Sequence, residues 1–227
     1  MRVLIACECS GRVKTAFRKR GHDAWSCALK QSEIADDKFH IQDDVLKHLD
    51  MGWELMIAHP DCTHLAVSGA RWFKDRLKEQ LLAIEFFMIL ANAKIAKIAI
   101  ENPIGIMSTR WRKPDQIIQP WQFGHGETKA TCLWLKNLPL LRPSNIVGGR
   151  IPRVHFEAPG PNRKTNRSRT LQGIALAMAE QWSNTERRST GQYQISFDIN
   201  EAEHRAVVDV KTNLDGKVVI ETQELEY

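Results

Sequence analysis

The sequence predicts an α/β protein built on a parallel, doubly wound sheet. Short apolar runs of strand length alternate along the chain with segments whose apolar residues recur at helical spacing. The 227 residues suffice for one sizeable domain and an appendage, which we place at 1–185 and 186–227. Two of the apolar runs end close to Cys62 and Glu101. Because ligands of open α/β sheets bind at the carboxyl ends of strands, a site is expected there.

The first part of the chain supplies the first three predicted strands. A buried strand ending at Cys7 is followed by a helix with Val13 and Phe17 on one face. Gly21 is a plausible C-cap for this helix. The elements predicted in this part are strands at 3–7, 22–27 and 53–58, a helix at 12–20 and a short helix through 45–49.

Residues 77–94 give the clearest helical pattern. Leu77, Leu81, Ile84 and Met88 recur at helical spacing, which predicts that this stripe packs in the core. The other predicted features are strands at 97–100 and 131–135, irregular segments at 104–130 and 142–169, a helix at 171–182, a linker at 183–191, β-like runs at 193–199, 206–211 and 218–221, and a hairpin-type turn at 213–216.

The charge of the chain is unevenly distributed. The net charge is +5, but residues 186–227 carry nine acidic and five basic side chains, so the preceding residues carry +9. A basic body suits a polyanionic partner. The densest basic cluster surrounds a Pro/Gly loop signal, so a solvated loop and a nucleic-acid contact both remain open. Its members are Arg150, Arg153, Arg163, Lys164, Arg167 and Arg169.

The cysteines and the hydropathy exclude several classes of protein. The five cysteines are odd in number and include no C-x-x-C pair, which argues against a disulfide framework and a zinc site. We therefore predict no metal. No stretch approaches the roughly 20 apolar residues of a membrane span, and the first residues lack a signal-peptide pattern. A cytoplasmic protein without membrane contact is expected.

Four motifs follow one another along the chain in an informative order. A strand ends in Cys-Glu-Cys-Ser-Gly, and Asp43-Asp44-Val45, Pro60-Asp61-Cys62 and Glu101-Asn102-Pro103 come after it. This order resembles that of the cytosine-C5 DNA methyltransferases, especially their short, phage-encoded members, to which residues 114–136 are also similar. The resemblance covers residues 1–183. It implies the Rossmann-like class I S-adenosylmethionine-dependent methyltransferase sheet and activity in a bacterial host cell.

The resemblance also implies a catalytic pair. Cys62 matches the nucleophile that adds to C6 of cytosine, and Glu101 matches the carboxyl group that contacts N3 and the exocyclic amine. Carbon 5 then takes the methyl group. Asn102 is implied to hold the Glu101 loop, although a simple turn role is equally open. We expect Cys62 and Glu101 at opposite edges of one base-sized pocket, beside a slot for the methyl donor.

S-adenosylmethionine is the cofactor that the resemblance implies. The turn after the first strand matches the family's glycine loop, and Gly11 permits a close backbone approach. Asp44 matches the residue that accepts from the adenine amine, with helix capping as its alternative role. The implied cofactor-binding residues are Glu8, Ser10, Gly11, Asp44 and Pro60.

The sequence departs from the family pattern in three ways. Ala28 stands where an acidic residue usually binds the ribose, with Glu33 as a candidate substitute. Asp61 directly precedes the thiol and should raise its pKa unless a helix N-terminus, His59 or His64 compensates. Residues 136–166 are too few for a separate target-recognition domain, which predicts little or relaxed sequence specificity.

The implied partner is DNA, with the choice between single and double strands left open. Arg71, Lys129 and the basic cluster are the predicted backbone contacts, and residues 186–227 are candidates for self-association or for binding a protein partner. Two alternatives remain. One is a catalytically weak DNA-binding or protective module of the same fold, and the other is a thiol-dependent enzyme acting on a free cytosine nucleotide.

Overall fold

A computed structural model describes residues 1–183, apart from the side chain of Trp72, and the backbone of residues 195–200, 205–214 and 217–226. The chain divides into two compact units, residues 1–183 and 184–227. The first unit is an α/β fold with a mostly parallel, Rossmann-like central sheet, which confirms the predicted fold class at that level. None of the helices in these described segments has the length and apolar character needed to span a bilayer.

The sheet of the first unit has seven strands in the order β3-β2-β1-β4-β5-β7-β6. Strands β3, β2, β1, β4 and β5 run parallel to one another, whereas β7 is antiparallel to both β5 and β6. The prediction of a parallel sheet is therefore wrong for β7. The strands are β1 Arg2–Ala6, β2 Asp23–Ala28, β3 His40–Gln42, β4 Leu55–Ala58, β5 Lys97–Pro103, β6 Gln116–Ile118 and β7 Thr131–Lys136.

Helices cover both faces of the sheet. Alternate residues of β1 point to opposite faces, so Val3 and Ile5 pack in a core with α1 and α5, while Leu4 packs in a second core with α2. The α-helices are α1 Arg12–Lys19, α2 Leu77–Ala91, α3 Met107–Arg110, α4 Arg163–Ser168 and α5 Gln172–Ser183. Short 3-10 helices span Val45–His48, Val67–Asp75 and Pro120–Gln122.

The buried face of α2 matches the predicted stripe only in part. Ile84 and Met88 are partly buried and pack against the core, whereas Leu77 and Leu81 are exposed. The buried positions are Gln80, Phe87 and Leu90. Eleven of the fifteen residues in this helix are apolar, so apolar spacing alone does not identify the core face. The core face is instead the side of the helix that meets β5 and the aromatic residues beneath it.

Four short elements lie in the segments predicted to be irregular, 104–130 and 142–169. They are α3, β6, the 3-10 helix Pro120–Gln122 and α4, each of three to six residues. Elements this short carry no detectable periodicity, and tertiary pairing decides them.

The second unit contains strands β8 Ile195–Asn200, β9 Arg205–Leu214 and β10 Lys217–Glu226. They form an antiparallel sheet in the order β10-β9-β8. These strands correspond to the three β-like runs of the sequence. Residues 215–216 of the predicted turn, residues 184–191 of the predicted linker and Tyr193 lie outside the described residues.

Candidate active site

The carboxyl ends of β1, β4 and β5 lie side by side. Strand β1 pairs with β2 on one side and with β4 on the other, so the direction of winding reverses between β1 and β4. Open α/β sheets bind ligands in the crevice at such a reversal. The turn Cys7–Gly11 leaves β1 at this edge, the loop His59–Cys62 leaves β4, and Glu101 lies near the end of β5.

The loop that carries Cys62 is fastened to both neighbouring strands. The His59 amide donates to the last carbonyl of β1 over 2.9 Å. The side-chain amide of Asn102 donates to the Pro60 carbonyl, also over 2.9 Å, in a buried hydrogen bond. The sequence predicts that Asn102 holds the Glu101 loop, but its amide holds the Cys62 loop instead. The thiol is therefore positioned from β5.

Glu101 is a buried carboxylate paired with a histidine. Its Oε2 lies 2.9 Å from Nδ1 of His59. Burial raises the pKa of Glu101, but the His59 hydrogen bond and the positive charge of Lys129 outweigh burial and lower it. Because a carboxylate can only accept, Nδ1 of His59 carries the proton in this pair. The other ring nitrogen, Nε2, is buried without a hydrogen-bond partner among the described residues.

The thiol of Cys62 is partly buried and surrounded by charged groups. Burial raises its pKa, as do the negative charges of Asp61 and Glu101, while the charge of Lys129 acts in the opposite direction. The predicted effect of Asp61 on the thiol is thus supported. His59 does not compensate for this effect by bonding to the thiol. Its Nδ1 is paired with Glu101, and its Nε2 has no hydrogen-bond partner among the described residues. The thiolate is consequently scarce at neutral pH.

The open space near these groups is unevenly distributed. A cavity of about 290 Å³ begins at Thr63, directly after Cys62, and its other lining residues are His64, Gly69, Phe73 and Arg76. The space beside Glu101 is only about 10 Å³, and it is lined by Lys129, Thr131, Thr170, Leu171 and Ile174. A cavity of that size holds about one water molecule. These residues therefore do not form the predicted base-sized pocket at Glu101.

Glu8 turns toward the start of α1. Its carboxylate accepts from the Ser10 hydroxyl over 3.0 Å and from the backbone amides of Val13 and Lys14 over 2.9 and 3.3 Å. Only 5% of the residue is exposed. Glu8 thus satisfies amides at the N-terminus of the helix, a role that carboxylates commonly fill. Glu8 and Ser10, two of the five predicted cofactor residues, are thus hydrogen-bonded to each other.

Gly11 has the backbone conformation expected of a glycine turn, with φ of 65°. A Cβ at this position would collide with the side chain of Ile34. The segment bearing Ile34 is held against the turn by a hydrogen bond from the Glu33 amide to the Cys9 carbonyl over 2.9 Å. The space over the glycine is therefore occupied by the protein's own side chain.

The remaining predicted cofactor groups have protein partners or lack the required chemistry. Asp44 caps the following 3-10 helix, with its Oδ1 accepting from the Leu46 amide over 3.0 Å. Ala28 ends β2 and is buried. The carboxylate of Glu33, its candidate substitute, pairs with Arg169 over 2.8 Å. Pro60, the fifth predicted residue, is buried at the end of β4.

Part of the basic cluster lies across the site as a strap, which we define as residues 163–169. Lys164 Nζ is 2.8 Å from Asp61 Oδ2, which connects the strap to the loop of the thiol. Lys129 donates to the Arg169 carbonyl over 3.4 Å. The strap thus borders the candidate active site, and two of its predicted phosphate contacts, Lys164 and Arg169, already form ion pairs.

The other predicted nucleic-acid contacts are dispersed. Arg71 is exposed on the 3-10 helix after the thiol loop. Arg150 lies over an indole ring with 4.0 Å to its centroid, and Arg153 lies 3.7 Å from a buried carboxylate. Arg163 donates to a backbone carbonyl over 2.8 Å. Arg167 has a buried Nε without a hydrogen-bond partner among the described residues.

Sequence reasoning missed two roles at this site. His59 is the direct partner of Glu101, and the available signal was its position immediately after β4, beside β5. Lys129, predicted as a backbone contact, influences the pKa of both Cys62 and Glu101 and therefore belongs to their immediate surroundings. Its place two residues before the reversed strand β7 was not apparent from the sequence.

Within the described parts of the chain, no cluster of three or more His, Cys, Asp or Glu side chains could hold a metal ion. The chain matches no protein-family model, and it matches no curated protein.

Proposed function

We propose that this protein methylates C5 of cytosine in DNA through a covalent adduct at Cys62, with S-adenosylmethionine as the methyl donor and with little or relaxed sequence specificity. The observation that carries the proposal is that Cys62 follows β4 and Glu101 lies near the end of the adjacent parallel strand β5, at one edge of the sheet. The Asn102 hydrogen bond ties the Cys62 loop to β5. The negative charge of Glu101 raises the pKa of the thiol, which supports the placement of both groups at the same edge.

The addition step uses both side chains. The thiolate sulfur forms a bond to C6, the C5–C6 π pair becomes a C4–C5 π bond, and the C4–N3 pair moves to N3. A hydrogen bond or proton at N3 from the Glu101 side stabilises that charge. Glu101 rests as a carboxylate, so it must gain a proton before it can donate one. His59 Nδ1, 2.9 Å away, passes a proton to the carboxylate while Nε2 takes one up from water, so the imidazole stays neutral.

A cytosine in duplex DNA would have to leave the base stack to reach this site, at a cost of a few kcal/mol. Single-stranded or transiently opened DNA avoids much of that cost. The strap of residues 163–169 and Lys129 supply positive charge at the same edge of the sheet. This placement supports a polyanionic substrate rather than a small neutral one.

The residues assigned to S-adenosylmethionine do not fit it as they are arranged. Ile34 fills the space over Gly11, Glu8 is bonded to helix amides, and Glu33 is paired with Arg169. Ala28 has no carboxylate for the ribose hydroxyls. We therefore derive no step through the donor. The adduct chemistry at Cys62 and Glu101 rests on separate observations and is tested separately.

Exchange at C5 tests the adduct without the donor. While Cys62 is bonded to C6, C5 is nucleophilic and takes a proton from water, and loss of the original hydrogen and of Cys62 restores cytosine. With single-stranded DNA tritiated at cytosine C5, we expect release of tritium to water by the wild-type protein. Cys62→Ala should abolish release, and Glu101→Gln should reduce it strongly.

Cys132→Ala is the matched control, since this cysteine is buried in β7 and has no proposed role. Equal release by the wild type and Cys62→Ala would remove the covalent mechanism. Release from dCMP but not from DNA would instead select the free-nucleotide enzyme.

A second function is favoured by the occupied space over Gly11. The protein would then be a catalytically weak module of the same fold that binds or shields DNA. Calorimetry with S-adenosylmethionine separates the two functions. Heat of binding that disappears in Gly11→Val supports the methyltransferase. Absence of binding, together with salt-sensitive binding to DNA, supports the module.

A further inference from the structure

The outer face of α2 is apolar although it is exposed. Leu77, Leu81, Leu82 and Ile89 are 59%, 66%, 56% and 40% exposed, respectively. A helix that is apolar on nearly all sides is normally buried on all sides. Here the inner side meets the sheet through Phe87, and the described residues of the first unit leave the outer side uncovered. An apolar patch of this kind marks an interaction surface.

Two opposite charges lie along the same outer face. Lys78 and Glu85 are both exposed and are seven residues apart, which places them two turns apart on one line of the helix. Neither forms an ion pair within the part of the chain that the structure describes. Leu81 and Leu82 lie between them along the helix. The face therefore has a positive end, an apolar centre and a negative end.

This pattern is complementary to itself when it is reversed. We propose that α2 is the contact surface of a homodimer, in which two copies of the helix pack antiparallel about a two-fold axis at Leu81 and Leu82. Lys78 of each copy then lies against Glu85 of the other, and the leucines pack across the axis. A two-fold interface requires this kind of self-complementary patch. The inference does not depend on the proposed methyltransferase activity.

The size of the patch predicts the strength of the dimer. A helix of fifteen residues is about 22 Å long. That length gives less than the roughly 800 Å² per partner that standard stable interfaces bury. The dimer should accordingly be reversible and depend on protein concentration, and raising the salt concentration should weaken its charge pairs.

Sedimentation velocity on the full chain tests the proposal through charge reversal. The wild type should dimerise as its concentration rises. Lys78→Glu and Glu85→Lys should each be monomeric, because like charges then face each other across the axis. An equimolar mixture of these two variants should dimerise again, since each charge regains an opposite partner. Glu79→Lys, a reversal on the same helix but away from the outer face, should behave as the wild type.

Three results would overturn the proposal. The first is a wild-type protein that stays monomeric up to its solubility limit, as expected if another part of the chain covers this face. The second is a dimer that persists in both single variants, as expected for association through residues 186–227. The third is a mixture that fails to dimerise although both variants show the circular dichroism of the wild type.

Discussion

At the scale of single residues, the hydrogen bond between Asn102 and Pro60 makes a direct prediction. Asn102→Ala removes the donor and leaves a buried carbonyl unpaired, which costs about 1–3 kcal/mol of stability. The loop of Cys62 should then shift, and the C5 exchange rate should fall by roughly 10- to 100-fold with unchanged affinity for DNA. Tritium release and fluorescence anisotropy measure the two quantities.

Asn92→Ala is the matched control for this prediction. Asn92 also donates its side-chain amide to a backbone carbonyl, over 2.8 Å, but on the exposed end of α2. Its substitution should leave the exchange rate unchanged. An equal loss of rate in both variants would show that Asn102 has no special role at the thiol.

The acidity of the thiol gives a second prediction at this scale. Because the charge of Asp61 raises the pKa of Cys62, Asp61→Asn should lower that pKa. The C5 exchange rate rises with pH as the thiol ionises, and in this variant that rise should occur at lower pH. The rate at neutral pH should therefore increase. Rates measured across the pH range test this shift.

Lys164→Gln separates charge from contact in that experiment. It breaks the same Lys164–Asp61 ion pair but keeps the negative charge beside the thiol. For Lys164→Gln, the rise of the C5 exchange rate with pH should therefore not move to lower pH. Identical shifts in both variants would attribute the effect to the strap rather than to the Asp61 charge.

At the scale of elements, a buried ion pair fastens the segment after β2 to α1. The side chains of Lys14 and Asp37 are 2% and 6% exposed. Lys14→Met leaves the Asp37 carboxylate buried without its cation, so we expect a loss of about 3–5 kcal/mol in the free energy of unfolding. Adding Asp37→Leu should recover most of that loss. Urea unfolding measures both changes.

The same pair predicts a dependence of stability on pH. Burial raises the pKa of Asp37, but the hydrogen bonds from Lys14 and Ser32 lower it by more, so its net shift is downward. The stabilising contribution is therefore complete above the ordinary aspartate pKa and is lost as the pH falls through the lowered one. In the variant with both Lys14→Met and Asp37→Leu, the free energy of unfolding should fall less steeply as the pH is lowered into the acid range. An equally steep fall would contradict the role of Asp37.

Patterning alone located the larger elements, because their periodicity spans enough residues. Strands β1, β4 and β5 and helices α1 and α5 lie within a few residues of their predicted bounds. The direction of β7 could not be read from its sequence, since an apolar strand looks the same in parallel and antiparallel sheets. The core face of α2 was only partly predicted: Ile84 and Met88 pack against the core but Leu77 and Leu81 do not, because apolar residues occupy most of the circumference of the helix.

The candidate site was only partly predictable for a related reason. Cys62 and Glu101 lie at the same edge of the sheet because the parallel strands β4 and β5 end there, and a sequence can indicate that. The Glu101–His59 pair, the strap contact between Lys164 and Asp61 and the position of Ile34 over Gly11 depend on loop paths. Such contacts join residues far apart in the chain and follow no local pattern.

At the scale of the whole molecule, the uneven charge predicts how the proposed binding to DNA responds to salt. Each phosphate contact adds about 0.9 to the slope of log affinity against log salt. Arg150→Gln combined with Arg153→Gln should lower the affinity for DNA and reduce that slope. The control pair is Lys19→Gln with Arg20→Gln, at the end of α1 just before β2. Equal slopes for the two double variants would contradict a binding role for the loop arginines.

The Asn102–Pro60 bond also has a consequence for how this protein could vary. Cys62, the proposed nucleophile, takes its position from the sheet, so the residues immediately downstream do not have to hold it in place. Replacing residues 67–75 should then change which molecules reach the proposed site while the sulfur of Cys62 stays in place. Diversity among such chains should accordingly concentrate beyond position 66, with the anchoring amide left untouched.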